Sequence, residues 1–156
     1  MSFYPLERVI SGGQTGIDQL GLEVARSLGI PTGGTAPKGY MTEDGPNQQL
    51  CDYGLIEHSS AKYPPRTRAN VQQSDGTVLF GNLIGGTRQT LDFCVQERKP
   101  CCVNPNADQL RDWLVEYKIR TLNVAGNRMS GLSGEQLQQY RHVLTNALQQ
   151  YAGSGR

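Results

Sequence analysis

The sequence predicts an α/β domain with a doubly wound, mostly parallel sheet covered by helices on both faces. Two observations lead there. Short apolar runs alternate with longer stretches whose apolar residues recur at helical spacing, and three of the short runs end in loops of small or polar residues. Parallel neighbours need crossover connections, which the long helical stretches provide. At 156 residues the chain fits one compact domain.

Arg8 to Ser11 reads as the first strand, stopped by Gly12-Gly13, and Thr15 to Leu28 as a helix with Ile17, Leu20, Val24 and Leu28 at helical spacing. Gly29 stands where a C-cap glycine belongs, and Ile30 to Ala36 is a second, glycine-weakened strand. Lys38 to Asp52, rich in turn-forming residues, reads as a loop with one short helical turn. Leu55 to His58 is a brief strand, and Pro64-Pro65 opens a polar helix through Gln73. Thr77 to Phe80 is a β-branched and aromatic strand, Gly81 to Thr87 a glycine-rich turn, and Gln89 to Lys99 an amphipathic helix. Pro100 to Val103, Asp108 to Tyr117, Thr121 to Ala125 and Gly134 to Tyr151 follow as strand, helix, strand and helix. The order is Rossmann-like. Residues 1–152 form one ligand-binding unit without repeat or linker, and 153–156 read as a flexible tail.

An apolar content of 37% with 19% charged residues describes an ordinary water-soluble globule. A net charge of +1 argues against general nucleic-acid or anionic-membrane binding, which needs clustered Lys and Arg. No apolar run approaches the roughly 20 residues that span a bilayer. Met1 to Arg8 lacks the basic and apolar parts of a secretory signal, so the expected location is the cytoplasm. Cys51, Cys94, Cys101 and Cys102 show no Cys-x-x-Cys spacing, and His58 and His142 have no second ligand at metal spacing. No metal site is expected. The cysteines read as buried reduced thiols, with Cys101 and Cys102 on opposite faces of a central strand.

The chemistry is expected in the three loops at the strand ends: Ser11-Gly12-Gly13-Gln14-Thr15-Gly16, Gly81 to Thr87, and Ala125-Gly126-Asn127-Arg128-Met129-Ser130. In doubly wound sheets ligands sit outside the carboxyl ends of the strands. A glycine-rich turn opening a helix offers unpaired backbone N–H groups at the positive end of the helix dipole, which suits a phosphate or another oxyanion. Gln14, Thr15 and Thr87 add side-chain donors. Neither glycine loop matches Gly-x-Gly-x-x-Gly or the P-loop, which disfavours a standard dinucleotide site or a nucleoside-triphosphate hydrolase.

Ser11-Gly12-Gly13-Gln14-Thr15-Gly16-Ile17-Asp18, Pro37-Lys38-Gly39 with Glu43-Asp44-Gly45, Tyr63, Arg66-Thr67, Asn70-Val71, Ser74-Asp75-Gly76-Thr77, Gly85-Gly86-Thr87 and Asn123-Val124-Ala125-Gly126 stand in this order along the chain. The series resembles the successive motifs of the molybdenum carrier family, the molybdenum cofactor carrier proteins, over nearly the whole length. That family belongs to a Rossmann-like superfamily with the lonely-guy phosphoribohydrolases. The resemblance implies binding of the molybdenum cofactor (Mo-molybdopterin), a phosphorylated pterin dithiolene, as cargo for storage and delivery to molybdenum enzymes or their insertion machinery. It also implies a homodimer or homotetramer. Molybdate or another bare oxyanion suits the same loops.

Lonely-guy enzymes carry Pro-Gly-Gly-x-Gly-Thr-x-x-Glu. If Gly86-Thr87 aligns with its Gly-Thr, Thr90 takes the glutamate's place and supplies no carboxylate acid or base. Asp92 lies about 200° around the helix from Thr90 and does not replace it. No catalytic residue is therefore expected. The alternatives to a carrier are a nucleotide-processing phosphoribohydrolase of lonely-guy type and a nucleotide-ligand sensor.

The cofactor-binding residues expected are Gly12, Gly13, Gln14, Thr15, Gly16, Lys38, Gly39, Arg66, Thr67, Gly85, Gly86, Thr87, Arg88, Asn127 and Arg128. An Arg fork grips a phosphate or oxo group at two points, and Lys adds a mobile charge. Lys38 reads equally as a solvated loop lysine, and Arg66 as the partner of Glu57 or Asp75 in a structural ion pair. Asp18, in the first turn of the first helix, reads first as structural, with recognition of a pterin edge as the other role. Asp44 and Asp75 read as turn formers.

Overall fold

The computed structural model describes residues 6–152; the expected tail at 153–156 lies outside the described residues. Six parallel strands form one sheet in the order β5-β2-β1-β8-β6-β7: β1 (Arg8–Ile10), β2 (Thr32–Ala36), β5 (Leu55–Glu57), β6 (Gly76–Phe80), β7 (Cys101–Val103) and β8 (Thr121–Gly126). Between β2 and β5 lie a two-stranded ribbon, β3 (Met41–Thr42) with β4 (Gly45–Pro46), and the short helix α2 (Gln49–Asp52). The fold is α/β and Rossmann-like, as the alternating pattern predicts. The ribbon departs from the loop expected there. Thr42-Glu43-Asp44-Gly45 closes it, with the Thr42 hydroxyl donating to the Gly45 carbonyl at 2.8 Å.

Alternation along the strands sorts side chains to two faces. Val78 and Phe80 of β6 and Leu122 and Val124 of β8 join a core made with α1 (Ile17–Ser27), α5 (Ala107–Glu116) and α6 (Gly134–Leu148), through Leu20, Leu110 and Leu148. On the other face Val71 of α3 (Tyr63–Gln73) packs with Phe93 and Cys94 of α4 (Gly85–Gln96). Cys101 and Cys102 do face opposite sides, Cys101 toward Cys94 and Cys102 toward the larger core, but β7 is an edge strand and not central. Cys51 is exposed on α2 rather than buried, and all four thiols are free. No helix among the described residues is long and apolar enough to cross a membrane.

The strand order places the switch at the middle of the sheet. The chain builds outward from β1 through β2 to β5, returns to lay down β6 and β7, and ends with β8 between β1 and β6. The carboxyl ends of β1, β8 and β6 are thereby neighbours, and the three glycine-bearing loops meet on one edge.

Candidate functional site

The helices differ in how they begin. α5 and α6 open with complete capping boxes, Asn106 with Gln109 and Ser133 with Gln136, which satisfy their first amides. α4 opens after Ile84 with no side-chain cap. It starts at Gly85, four residues before the expected Gln89, because Gly85 and Gly86 are themselves its first turn. The Thr87 and Arg88 amides fold back on the Ile84 carbonyl at 3.1 and 3.3 Å, while those of Gly85 and Gly86 precede the first helical bond and have no partner among the described residues.

These amides border a cavity of about 360 Å³, within the size range of small-molecule sites. Its wall is completed by Gln14 after β1, Tyr63, Arg66 and Thr67 on α3, Gly126 at the end of β8, and Asn127 and Arg128 after it. Of the expected residues, Gln14, Arg66, Thr67, Gly85, Gly86, Thr87, Asn127 and Arg128 line it.

The remainder lie elsewhere, for physical reasons. The loop from Gly12 to Gly16 spends three of its backbone amides on neighbouring side chains. The Gly13 amide bonds the Ser11 hydroxyl at 3.2 Å, that of Gln14 the Asp18 carboxylate at 3.1 Å, and that of Thr15 the Gln14 Oε1 at 3.1 Å. Gly12 has a packing role, since a Cβ there would stand 2.1 Å from Arg66 Nη1. Lys38 and Gly39 sit in a 3-10 turn against β5, where the Gly39 amide donates to Glu57 Oε1 at 2.6 Å. Arg88 turns outward to Asp92 at 3.2 Å. Asn127 lines the cavity with its side chain already committed: Nδ2 donates to the Asn82 carbonyl and to Thr87 Oγ1, both at 2.9 Å, and Oδ1 accepts from the Asn82 amide at 2.8 Å. Because Thr87 Oγ1 accepts from Asn127, its own proton is left to donate elsewhere.

Arg66 is 9% exposed and Asp18 3%, and Arg66 Nη1 lies 3.5 Å from Asp18 Oδ2. The Arg66 partner is therefore neither Glu57 nor Asp75, whose Oδ2 instead accepts from the Arg120 and Thr121 amides. Burial pushes the Asp18 carboxyl up from 3.8 to about 6, against the pull of Arg66, the Gln14 and Gly12 amides and Arg128. Burial likewise lowers the Arg66 guanidinium from its ordinary value while Asp18 opposes it. Two buried donors that border the cavity have no partner among the described residues: Gln14 Nε2 and Arg66 Nε. Gln14 Oε1 accepts from two amides, Thr15 at 3.1 Å and Glu43 at 2.8 Å, so the carboxamide is oriented with its NH₂ unspent.

Because Asp18 binds its proton more tightly folded than unfolded, its contribution to stability is fullest below about pH 3.8 and is lost as pH rises through about 6. The loss is of the order of 2 to 3 kcal/mol. Asp18→Asn removes it. In urea unfolding the stability of wild type minus that of Asp18→Asn is expected to fall between about pH 4 and pH 7.5. A flat difference would contradict the burial effect.

Tyr63, Asn82, Ile84 and Thr90 also line the cavity, although they were not among the expected ligand residues. Tyr63 lies near two cations, with Arg66 Cζ 5.4 Å and Arg128 Cζ 5.5 Å from its ring centroid. A signal for it exists in the sequence: Tyr63, Arg66, Thr67 and Asn70 recur at the spacing usually held by apolar core residues. Thr90 donates its hydroxyl to the Gly86 carbonyl at 2.9 Å. The only carboxylate among the lining residues is Asp18.

A solved structure from Syntrophus aciditrophicus SB, described as a "Putative molybdenum carrier protein", is 35% identical and superposes with a TM-score of 0.79, covering 92% of this chain and 96% of that one. The E-1-hydroxy-2-methyl-but-2-enyl-4-diphosphate reductase of Plasmodium falciparum aligns at 9% identity and a TM-score of 0.41, over 95% of this chain and 55% of that one. No curated protein matches. Residues 9–148 match the model of the circularly permutated YpsA SLOG family, and the chain belongs to that Rossmann-like, lonely-guy-related family.

Proposed function

We propose that this protein is a carrier of the molybdenum cofactor, binding the phosphorylated pterin dithiolene as cargo for protection and delivery. The observation that carries the reading is the one-sided chemistry of the cavity wall. Gln14 Nε2 and Arg66 Nε are buried donors without partners, the Gly85 and Gly86 amides are uncapped, and the Thr87 hydroxyl proton is unspent. Unmade bonds of buried donors cost about 1 to 3 kcal/mol each, so such a wall calls for a ligand rich in acceptor oxygens. The name of the 35% identical relative supports the molybdenum cofactor among such ligands. In this reading the phosphate takes the start of α4, and Arg66 and Gln14 take further oxygen acceptors. Delivery to molybdenum enzymes in the cytoplasm, by a homo-oligomer, belongs to the same proposal.

Gly86 supports the ligand's place. A Cβ on it would meet nothing within 4 Å, and its φ is not in the left-handed region, so the fold does not require glycine there. Gly86→Ala is expected to stabilise the free protein by up to about 1 kcal/mol while weakening cofactor binding about tenfold, by filling the space beside the phosphate. Chemical denaturation and binding measured on one preparation test the opposed signs.

The deciding experiment is anaerobic titration with the molybdenum cofactor, followed by gel filtration, with adenosine monophosphate as competitor. Retained cofactor that adenosine monophosphate does not displace supports the carrier. Adenosine monophosphate bound or cleaved, with no cofactor retained, assigns the protein to nucleotide chemistry instead. Thr90 at the lonely-guy glutamate position argues against cleavage.

A further inference from the structure

The β3–β4 ribbon has no partner strand in the main sheet, yet it is tied to two of the three loops around the cavity by one side chain. Glu43, at its tip, accepts from the Thr15 hydroxyl, from the Ser130 amide at 3.1 Å and from the Ser130 hydroxyl at 2.7 Å. Thr15 Oγ1 in turn accepts from the Met129 amide at 3.1 Å. Two successive amides of the loop after β8 are thus anchored through Thr15 and Glu43 to the loop after β1. The Glu43 amide also fills the second acceptor position of Gln14 Oε1 at 2.8 Å, and so helps hold Gln14 Nε2 unpaired at the cavity wall.

We propose that Glu43 is a positioning residue for the ligand site: a latch that orients the Gln14 carboxamide and holds the 128–131 segment, with Arg128, closed over the cavity. The proposal rests on the anion-binding reading of that cavity. Three donors meet two carboxylate oxygens, whereas a glutamine has one acceptor oxygen, no charge and an NH₂ group that faces one of those donors, so the three charge-assisted bonds cannot all be kept as they stand. The bonds from the Ser130 and Thr15 hydroxyls also hold the Glu43 carboxyl below its ordinary value. The freed segment takes Arg128 and the Ser130 wall with it, and Gln14 loses its fixed orientation. Ligand contacts then have to be organised at the moment of binding, which lowers affinity.

The test uses the full chain with molybdate as the probe anion, read by amide hydrogen exchange and by the side-chain NH₂ resonances of Gln14. Glu43→Gln is expected to speed exchange of the Met129 and Ser130 amides and to weaken molybdate binding about tenfold. Molybdate is then expected no longer to shift the Gln14 NH₂ signals as it does in wild type. Ser130→Ala, which removes one donor of the three, should show a smaller change in the same direction and serves if Glu43→Gln fails to fold. Asp44→Asn makes the same charge change at an exposed neighbour and should alter none of these readings. Wild-type binding with unchanged affinity, Gln14 signals and exchange in both latch variants overturns the latch alone. A wild-type protein that binds no molybdate and leaves the Gln14 signals unmoved overturns the anion-site reading and the positioning role with it.

Discussion

Arg66→Ala is expected to lower affinity for the cofactor by about 100-fold or more, read as cofactor lost on gel filtration and confirmed by titration. Arg66 is 9% exposed, and among the described residues its Nε has no partner and its only carboxylate contact is Asp18 at 3.5 Å, too long to spend a donor fully. Charge-assisted bonds to buried anions contribute about 1.5 to 3 kcal/mol each, and two of them account for the expected loss. Lysine should not restore binding, because a point charge reproduces neither the fork nor its position beneath Tyr63. The substitution also removes the largest influence that lowers the Asp18 pKa, so that carboxyl should climb above about 6 and take up a proton near neutral pH. Affinity within about threefold of wild type would remove Arg66 from the site.

The second large effect is on the fold. Gly16 precedes α1 at φ 83°, and a Cβ there would lie 2.5 Å from the Asn127 carbonyl oxygen, 2.7 Å from the Met129 nitrogen and 2.8 Å from the Arg128 carbonyl carbon. All three are backbone atoms, so no side-chain rotation relieves the contact. The left-handed conformation adds its own cost to any side chain. Gly16→Ala is therefore expected to destabilise by about 3 to 4 kcal/mol, measured as a lowered midpoint of urea unfolding. Because the displaced atoms belong to the loop that carries Asn127 and Arg128, binding should fall as well. A midpoint close to wild type would mean that the loop yields, and that the approach of α1 to β8 is looser than the contacts imply.

These two residues show unequal degrees of legibility. Arg66 is readable as a ligand group because it stands in a polar helix whose polar residues recur where apolar ones normally would. Its pairing is not readable, since Asp18 lies 48 positions away and Glu57 and Asp75 are nearer in sequence. The glycine loop from Gly12 to Gly16 reads as a phosphate cradle on local chemistry. Only packing reveals that its Gly13, Gln14 and Thr15 amides are consumed by Ser11, Asp18 and Gln14, while the Gly85 and Gly86 amides that start α4 stay unspent beside the cavity. The β3–β4 ribbon is invisible to periodicity, because two-residue strands carry no repeat to detect.

The sequence by itself determined the alternation of strands and helices, the two-faced core and the convergence of three glycine-bearing strand ends at one edge of the sheet. Those properties follow from local periodicity and from the crossover geometry of parallel strands. Which donors at that edge remain free was decided only by the tertiary structure. Every hydrogen-bonding group there has several partners within reach once the chain folds, and three-dimensional packing, not spacing along the chain, selects among them.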